Sequence, residues 1–412
     1  MKLYDDLVWR GLIKDFSSPD LIDKLNNEKL TFYIGTDPTA DSLHLGHLSS
    51  FLISKRLKDY GHNPILLVGG GTGLIGDPRP TAERDTIVKE ELFRNTECLK
   101  NQVQRLFGFK VVNNYDWIKD ISAIDFLRDY GKHFNVNYMI NKDIVRRRLE
   151  SGITYCEMSY MILQSLDFLH LNKEYSCTLQ VAGSDQWGNI TAGIDLIRKK
   201  TGQEVYGFTM PLILDKFGNK FGKSEGNALW LDKNKTSPYE IYQYLVNTDD
   251  SKVVEYLKVF TFLSHEEINK LEEKVKTEPE KREAQKALAS EVVRFLHGEE
   301  ELQEAIKLTE CLFTGNVKEL TDEEIEMVFK GMPTIETKED TIINIMTNND
   351  IASSKREARE FLSNNAITLD GEIINDENYI ITNNKKNHII RRGKKKYYLI
   401  TVSYTHLTLP TT

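Results

Sequence analysis

Only four cysteines occur in the 412 residues, at Cys98, Cys156, Cys177 and Cys311. They are far apart and form no Cys-x-x-Cys pair, which argues against a disulfide framework and against the common zinc-ligand spacings. No apolar run approaches the ~20 residues that a membrane helix requires. Neither sign of charge dominates: 54 Lys and Arg stand against 62 Asp and Glu, a net charge of −8. Nothing in that total announces a nucleic-acid partner. The chain also lacks a Gly-x-x-x-x-Gly-Lys-Ser/Thr segment, so a P-loop is ruled out, and it shows no internal repeat. Its opening Met-Lys-Leu-Tyr-Asp-Asp is acidic early and has no long apolar core. No secretory signal is expected there, and a cytoplasmic location is the default.

What is present is ordinary in bulk and informative in detail. Hydrophobic residues at 40% and charged residues at 28% suit a globular fold. The length predicts two or three domains. Residues 341–412 carry ten Lys and Arg against seven Asp and Glu, so a mildly basic end follows an acidic body. That distribution fits either one site for an anionic partner or an uneven scatter of surface charge.

In the first half, short β-rich runs alternate with helical periodicity. Leu30–Gly35 reads as a buried strand, and a helix follows from about Gly46 to Asp59. Pro64 opens a second strand, Ile65–Val68, that runs into the glycine-rich loop Gly69–Asp77. A helix over about Ile87–Phe107 leads to a third strand near Phe109–Val112. This succession predicts an α/β fold, a Rossmann-like doubly wound parallel sheet, with ligands at the carboxyl ends of its strands. Residues 121–170 look helical and form a candidate insertion. Strand character resumes at Thr178–Ala182, and Ser184–Lys200 begins another helix. Glu- and Lys-rich helical pattern dominates 237–330, for example Glu280–His297. Residues 331–340 read as a linker. Beyond them a helix at Ser354–Ser363 and short strands around Asp370-Gly371 make up a small unit.

Two segments can carry chemistry. His44-Leu-Gly-His47 falls between a strand and a helix, where glycine lets a phosphate chain approach the backbone. The imidazoles can donate to phosphate oxygens, and the helix N-terminus adds its positive end. Zinc is the competing reading, but it needs a third protein ligand, and nearby His62 stands alone on a loop. Two structural or surface histidines are the plainer alternative. The second segment is Lys220-Phe-Gly-Lys-Ser224, whose two lysines and hydroxyl suit a loop that grips a triphosphate and moves. Alone it is weak, because such loops are common and mostly solvated.

Taken in this order, the two segments resemble the paired HIGH and KMSKS signatures of the class I aminoacyl-tRNA synthetases. Further matches run from near residue 3 to about Ile400 and look like the bacterial tyrosyl-tRNA synthetase family. They include Tyr33–His47, Gly73–Pro78, Asn114-Tyr-Asp-Trp117, Val136–Met139, Ser159–Gln164 and Gly183–Gly193. The resemblance implies a class I catalytic domain over 1–236, with the helical insertion at about 115–175. It implies an α-helical anticodon-binding domain over 237–330, the linker 331–340, and a small α+β RNA-binding domain over 341–402.

The implied reaction joins tyrosine to its tRNA through an adenylate, with ATP as substrate, Mg2+ arriving on ATP, and no prosthetic group or protein-bound metal. Tyr33 and Asp167 would contact the substrate phenol, a pairing of hydroxyl and carboxylate that is chemically sensible. Asp77, Tyr160 and Gln164 would hold the ammonium, with Gln180 and Asn114 completing that end. Gly35, Asp37, Gly183, Asp185 and Gln186 would meet ATP, with Asp185 and Gly183 at the ribose. Thr39, His44 and His47 would line the triphosphate, and Lys220, Lys223, Ser224 and Arg84 would close over pyrophosphate. For tRNA(Tyr), Lys355, Arg356, Arg359, Arg391, Arg392, Lys394 and Lys395 would reach phosphates. A homodimer built through the helical insertion is also implied, with no membrane contact.

Plainer readings stand beside these. Tyr160 and Gln164 are four apart on a helix, which also suits packing. Trp187 reads as a core anchor. Two features depart from the family pattern: Arg79-Pro80 stands where many relatives carry lysine, and the pattern stops near Ile400. Residues from about Thr401, and 403–412 above all, are expected to be foreign to the native protein and dispensable. Tryptophanyl-tRNA synthetase, a small-metabolite nucleotidylyltransferase and a synthetase-derived splicing cofactor are the rival readings. Tyr33 with Asp167, the long chain after Ser224 and the intact lysines argue against each in turn.

Overall fold

The strands expected from the apolar runs come together as one parallel sheet. A computed structural model of the chain describes residues 2–78, 87–224, 227–314, 320–329, 334–338, 340–382, 386–393 and 396–402, with backbone only at 143, 144, 223, 224, 227, 313 and 314. It divides into two compact units. The first comprises Met1–Thr236 with Tyr244–Val292, the second Ser237–Gln243 with Val293–Thr412.

In the first unit the strands are β1 (Thr31–Thr36), β2 (Asn63–Val68), β3 (Lys110–Asn113), β4 (Cys177–Gly183) and β5 (Tyr206–Met210). They lie in the order β3-β2-β1-β4-β5, and every pairing is parallel. The chain builds outward from β1 on one side, then crosses to β4 on the other. The reversal of winding therefore lies between β1 and β4, where such sheets open a crevice at their carboxyl ends. Helices cover both faces, so the central strands are apolar without alternation; Phe32, Tyr33 and Ile34 of β1 are all buried. β5 escaped the periodicity reading. Its free edge is covered by the N-terminal segment, with Lys14 N–H donating to Thr209 O at 2.8 Å and Ser17 N–H to Gly207 O at 3.0 Å.

The helix Leu45–Asp59 returns the chain from β1 to β2. His44 caps it in extended backbone geometry, and Arg56 and Lys58 in its last turn complement the negative helix end. Arg56 reaches the carbonyls of Lys258 and Thr261 at the end of the helix Asp250–Phe260, so these two helices are braced together. The insertion begins with short helical turns from Tyr115 to Arg148 and ends in the long helix Tyr155–Tyr175. Thr154 and Glu157 start that helix as a reciprocal cap, and Glu157 is also ion-paired to buried Arg148 at 3.0 Å.

His62 has a defined structural task. Its Nδ1 accepts from Leu30 N–H at 3.1 Å and its Nε2 lies 3.1 Å from Leu25 O, which requires the neutral ring protonated at Nε2. Burial holds its pKa below the usual 6.5. The folded state thus binds this proton less readily than the unfolded chain. The stability it contributes is complete above the free-histidine value and declines as pH falls below it. We expect His62→Ala to cost about 1–3 kcal/mol in urea unfolding at pH 8, the cost of an unmet buried N–H. A loss below a few tenths would remove the structural role.

The second unit contains a five-stranded sheet in the order Glu372–Ile373, Ile367–Leu369, Asn387–Arg392, Lys396–Val402, Thr334–Thr337. The helices Ile342–Asn348 and Lys355–Ser363 share its core, with Ile342, Met346, Ile351, Ala358 and Leu362 buried. Two expectations are corrected here. The segment 331–340 is not simply a linker, because Thr334–Thr337 pairs in parallel with Leu399–Val402 and buries Ile335. Nor is the chain after Ile400 dispensable to the fold throughout. Thr401 and Val402 continue the last strand, and Val402 is buried with its N–H bonded to Lys386 O at 2.9 Å. A cut at Ile400 would remove that core contact. Residues 403–412 lie outside the described residues.

Candidate active site

Two strand ends and the helix Tyr155–Tyr175 enclose a cavity of about 240 Å³ at the β1/β4 crevice. That is slightly below the ~300–1,000 Å³ of pockets for drug-sized ligands, and so suits an amino acid. Tyr33, Gly35, Asp37, Thr39 and His47 line it from β1 and the following loop and helix. Thr72 and Asp77 enter from the loop after β2, Gln180 and Gln186 from β4 and beyond. Tyr160, Gln164 and Asp167 project from one face of the helix Tyr155–Tyr175, as their spacing allows.

At the inner end lie Tyr33 and Asp167. The Tyr33 hydroxyl is buried with no hydrogen-bond partner among the described residues, and the same holds for Gln180 Oε1 on the neighbouring strand. β1 and β4 place these two residues directly opposite each other. Orphaned buried polar atoms are costly, so two of them facing one cavity indicate a ligand that supplies the missing partners. Asp167 is held on both oxygens: Trp117 Nε1 donates to Oδ1 at 2.8 Å, and Asn114 Nδ2 to Oδ2 at 2.9 Å. Burial pushes its carboxyl up to about 7, although those two donors oppose the rise. Burial, then the Asp167 charge, also raises the Tyr33 phenol well above its usual range. Asn114 itself is not on the cavity wall. It stands behind Asp167, also accepting from Gly71 N–H at 2.7 Å and donating to Thr72 at 2.9 Å.

The other end is a polar network. Gln186 Nε2 donates to Asp77 Oδ2 at 2.7 Å, and Asn189 Nδ2 to Gln164 Oε1 at 3.0 Å. Tyr160 gives its hydroxyl proton to Asp37 at 3.1 Å, and Thr72 donates to the other Asp37 oxygen at 3.0 Å. Trp117 and Asn189 fall inside the patterns Asn114–Trp117 and Gly183–Gly193, and Thr72 inside the glycine-rich loop, but no role was expected of any of the three. Asp185 is exposed beside Gly183 and lines a second cavity of about 580 Å³ that shares Asp77 with the first. Trp187, read as a core anchor, is half-buried on the wall of that second cavity.

The two histidines have assigned tautomers. His44 Nδ1 accepts from Gly46 N–H at 3.1 Å, and His47 Nδ1 accepts from His44 N–H at 3.3 Å. Both rings therefore carry their proton on Nε2, as a phosphate donor must, and they stack at 3.8 Å. Burial, then His44 and Lys220, lower the His47 pKa to about 3, so it stays neutral at any physiological pH. Zinc loses its third ligand here, because both nitrogens of His62 are occupied by backbone groups. The second motif packs directly on the first: Leu45 N–H donates to Leu229 O at 2.8 Å, and Leu229 N–H to Gly222 O at 3.0 Å. Lys220 is exposed. Lys223 and Ser224 pair in backbone with Ala228 and Asn227, but their side chains lie outside the described residues, as do Arg79 and Arg84.

Of the basic residues expected to meet RNA, Lys355 and Arg356 are exposed on the helix Lys355–Ser363. Arg359 is paired with Glu377 at 2.6 Å. Arg392 donates to Ile351 O and lies over the Phe361 ring, while Arg391 faces Thr368 in the sheet. Lys394 and Lys395 lie outside the described residues.

The model for class I tRNA synthetases (W and Y) matches residues 25–314, and the chain belongs to that family. The tyrosine branch is marked by a second model, a tyrosine--tRNA ligase C-terminal domain, over residues 324–400. The chain is 51% identical to the tyrosine--tRNA ligase of Pediococcus pentosaceus, over 98% of this chain and 100% of that one. It is 50% identical to that of Staphylococcus carnosus, over 97% and 99%. A truncated mitochondrial tyrosyl-tRNA synthetase from Aspergillus nidulans matches in structure with a TM-score of 0.67 and 32% identity, over 76% of this chain and 94% of that one.

Proposed function

We infer that the chain activates L-tyrosine with ATP, forming tyrosyl-adenylate and pyrophosphate, and then transfers the tyrosyl group to the 3′ end of tRNA(Tyr). The carrying observation is the Tyr33 hydroxyl, buried without a partner among the described residues and facing a cavity that also holds the Asp167 carboxylate. A phenol satisfies both, donating to Asp167 and pairing with Tyr33. A site built to bond a buried hydroxyl rejects the analogue that lacks it. Tyrosine-specific synthetases are the standard illustration, at about 10⁵ against phenylalanine.

The substrate ammonium faces Asp77, Tyr160 and Gln164, with Gln180 supplying an acceptor. Its carboxylate attacks the α-phosphate of ATP in line, and pyrophosphate leaves. No covalent enzyme intermediate forms, and no general base is needed. The Nε2–H groups of His44 and His47 stabilise charge on the phosphates, joined by Thr39, Lys220, Lys223, Ser224 and Arg84. Gly35, Asp37 and Gln186 border the nucleotide, and Gly183 with Asp185 meets the ribose. Mg2+ would arrive with ATP, largely held by phosphates and water; Asp37 on the cavity wall accepts from Thr72 and Tyr160. No prosthetic group takes part.

Residues 1–236 serve as catalytic domain, 237–330 as anticodon-binding domain and 341–402 as RNA-binding domain, with exposed Lys355 and Arg356 on its surface. A homodimer is supported by the exposed apolar residues of the insertion, Ile124, Leu127, Val136, Tyr138, Leu149 and Tyr155. No helix among the described residues is long and apolar enough to cross a membrane. We place the protein in the cytoplasm.

Pyrophosphate exchange with each amino acid in turn tests the reading. Tyrosine should stand far above phenylalanine and tryptophan; comparable exchange with either would end the specificity claim. Lys223→Ala should slow adenylate formation much more than it weakens tyrosine binding.

A further inference from the structure

The lysine loop is anchored by residues that follow it in sequence and that no motif marks. Phe221, between the two motif lysines, inserts its ring among three aromatic residues. Phe260 stacks on it at 4.5 Å, Tyr256 meets it edge-on at 4.6 Å, and Tyr244 at 5.5 Å. The hydroxyls at the rim of this cluster are directed to the loop's backbone. Tyr256 donates to Leu214 O at 3.0 Å on the incoming strand of the hairpin. Tyr244 accepts from Gly222 N–H at 3.1 Å on the outgoing strand. At the hairpin's tip, Lys216 is paired with Asp249 at 2.7 Å, the cap of the helix Asp250–Phe260.

We propose that Tyr244 is a positioning residue for adenylate formation, fixing Gly222 so that Lys220 and Lys223 meet the leaving pyrophosphate together. The inference rests on the phosphate-gripping role given above to those lysines. A plain packing role would need only the rings. Phenylalanine would then serve at 244, but the hydroxyl is what holds the peptide between the two lysines. One neutral hydrogen bond locates that peptide while remaining weak enough to release it when the loop must move. Tyr256 and Phe260 of the cluster belong to the helix Asp250–Phe260 that also braces Arg56, whereas Tyr244 stands on the helix Pro238–Val246 before it.

The test is rapid-quench measurement of adenylate formation for Tyr244→Phe, Lys223→Ala and the double variant, with tyrosine Kd measured separately. Tyr244→Phe should slow the step roughly tenfold, the rate equivalent of one unmet buried donor, with tyrosine Kd held within about twofold. Because Tyr244 acts through the loop, the double variant should be slower than Lys223→Ala alone by clearly less than tenfold, the remainder coming through Lys220. Phe221→Leu, which thins the same cluster, is the independent variant and should lower the rate with tyrosine Kd unchanged. An unchanged rate in Tyr244→Phe, or effects that multiply in the double variant, overturns the proposal while leaving the loop's role intact. If Lys223→Ala itself proceeds at the normal rate, the loop reading fails, and the positioning role with it.

Discussion

Asp167→Asn is expected to lower kcat/KM for tyrosine by roughly 10² or more and to leave phenylalanine activation almost unchanged, collapsing the discrimination between them. The carboxylate accepts from Trp117 and Asn114 and is the acceptor facing the unpartnered Tyr33 hydroxyl across the cavity. An amide has one acceptor oxygen, and its NH2 would be turned toward one of those two donors. The variant therefore loses the substrate's acceptor and disturbs the residues that hold it.

A pH profile gives the same prediction a second readout. Burial raises the Asp167 pKa to about 7 from an ordinary 3.8. Between those values the folded apo-protein holds the proton more tightly than the unfolded chain, so this group alone lowers stability as pH rises through the window. Binding runs the opposite way, because the phenol donates to the charged form. The kcat/KM for tyrosine should fall about tenfold per unit below pH 7, since it reports the free enzyme, while kcat titrates lower. In Asp167→Asn that limb should vanish. A profile of unchanged shape in the variant would show that another group titrates, and Asp167 would lose its role.

The residues of the site differ in how readable they were. His44 and His47 were legible because local geometry makes the site: each ring is set by a backbone N–H within three residues. Tyr33 sat on an apolar strand, and its exceptional hydroxyl could be placed only by resemblance. Its pairing with Gln180 depends on the β1/β4 register, which brings together residues 147 positions apart that no periodicity connects. Trp117 and Asn114 act through Asp167 across 50 and 53 positions. At the far end of the chain, Thr334–Thr337 carries one buried apolar residue, Ile335, among polar neighbours, too little signal to read as a strand. Most of what failed to show in sequence was a contact made by tertiary register. Four of the five parallel strands were plain, because strands buried on both faces advertise themselves as apolar runs, whereas β5 carries Gly207 and Thr209 within a short run and went unread.

Gly222→Ala is expected to slow adenylate formation by roughly 10² while the fold and tyrosine binding persist, because displacing a positioned group by about 1 Å has that effect. Gly222 has φ +86, which a side chain adopts only with strain, and an added Cβ would lie 2.6 Å from Gly46 N and 2.9 Å from Leu45 Cβ. Those atoms belong to the first turn of the histidine-capped helix, so they cannot give way without moving His44 and His47. Relief must come from the loop, which would retreat from the histidine motif and take Lys220 with it. Tyr33, Asp167 and the ammonium end lie on other elements and should keep their geometry. The expected signature is a lower rate constant at saturating tyrosine and ATP, with tyrosine Kd unchanged in equilibrium titration. If tyrosine affinity fell in proportion to the rate, the close approach of the two motifs would be serving the whole pocket. The division of labour drawn here, with phenol recognition beneath and phosphate handling above, would then be wrong.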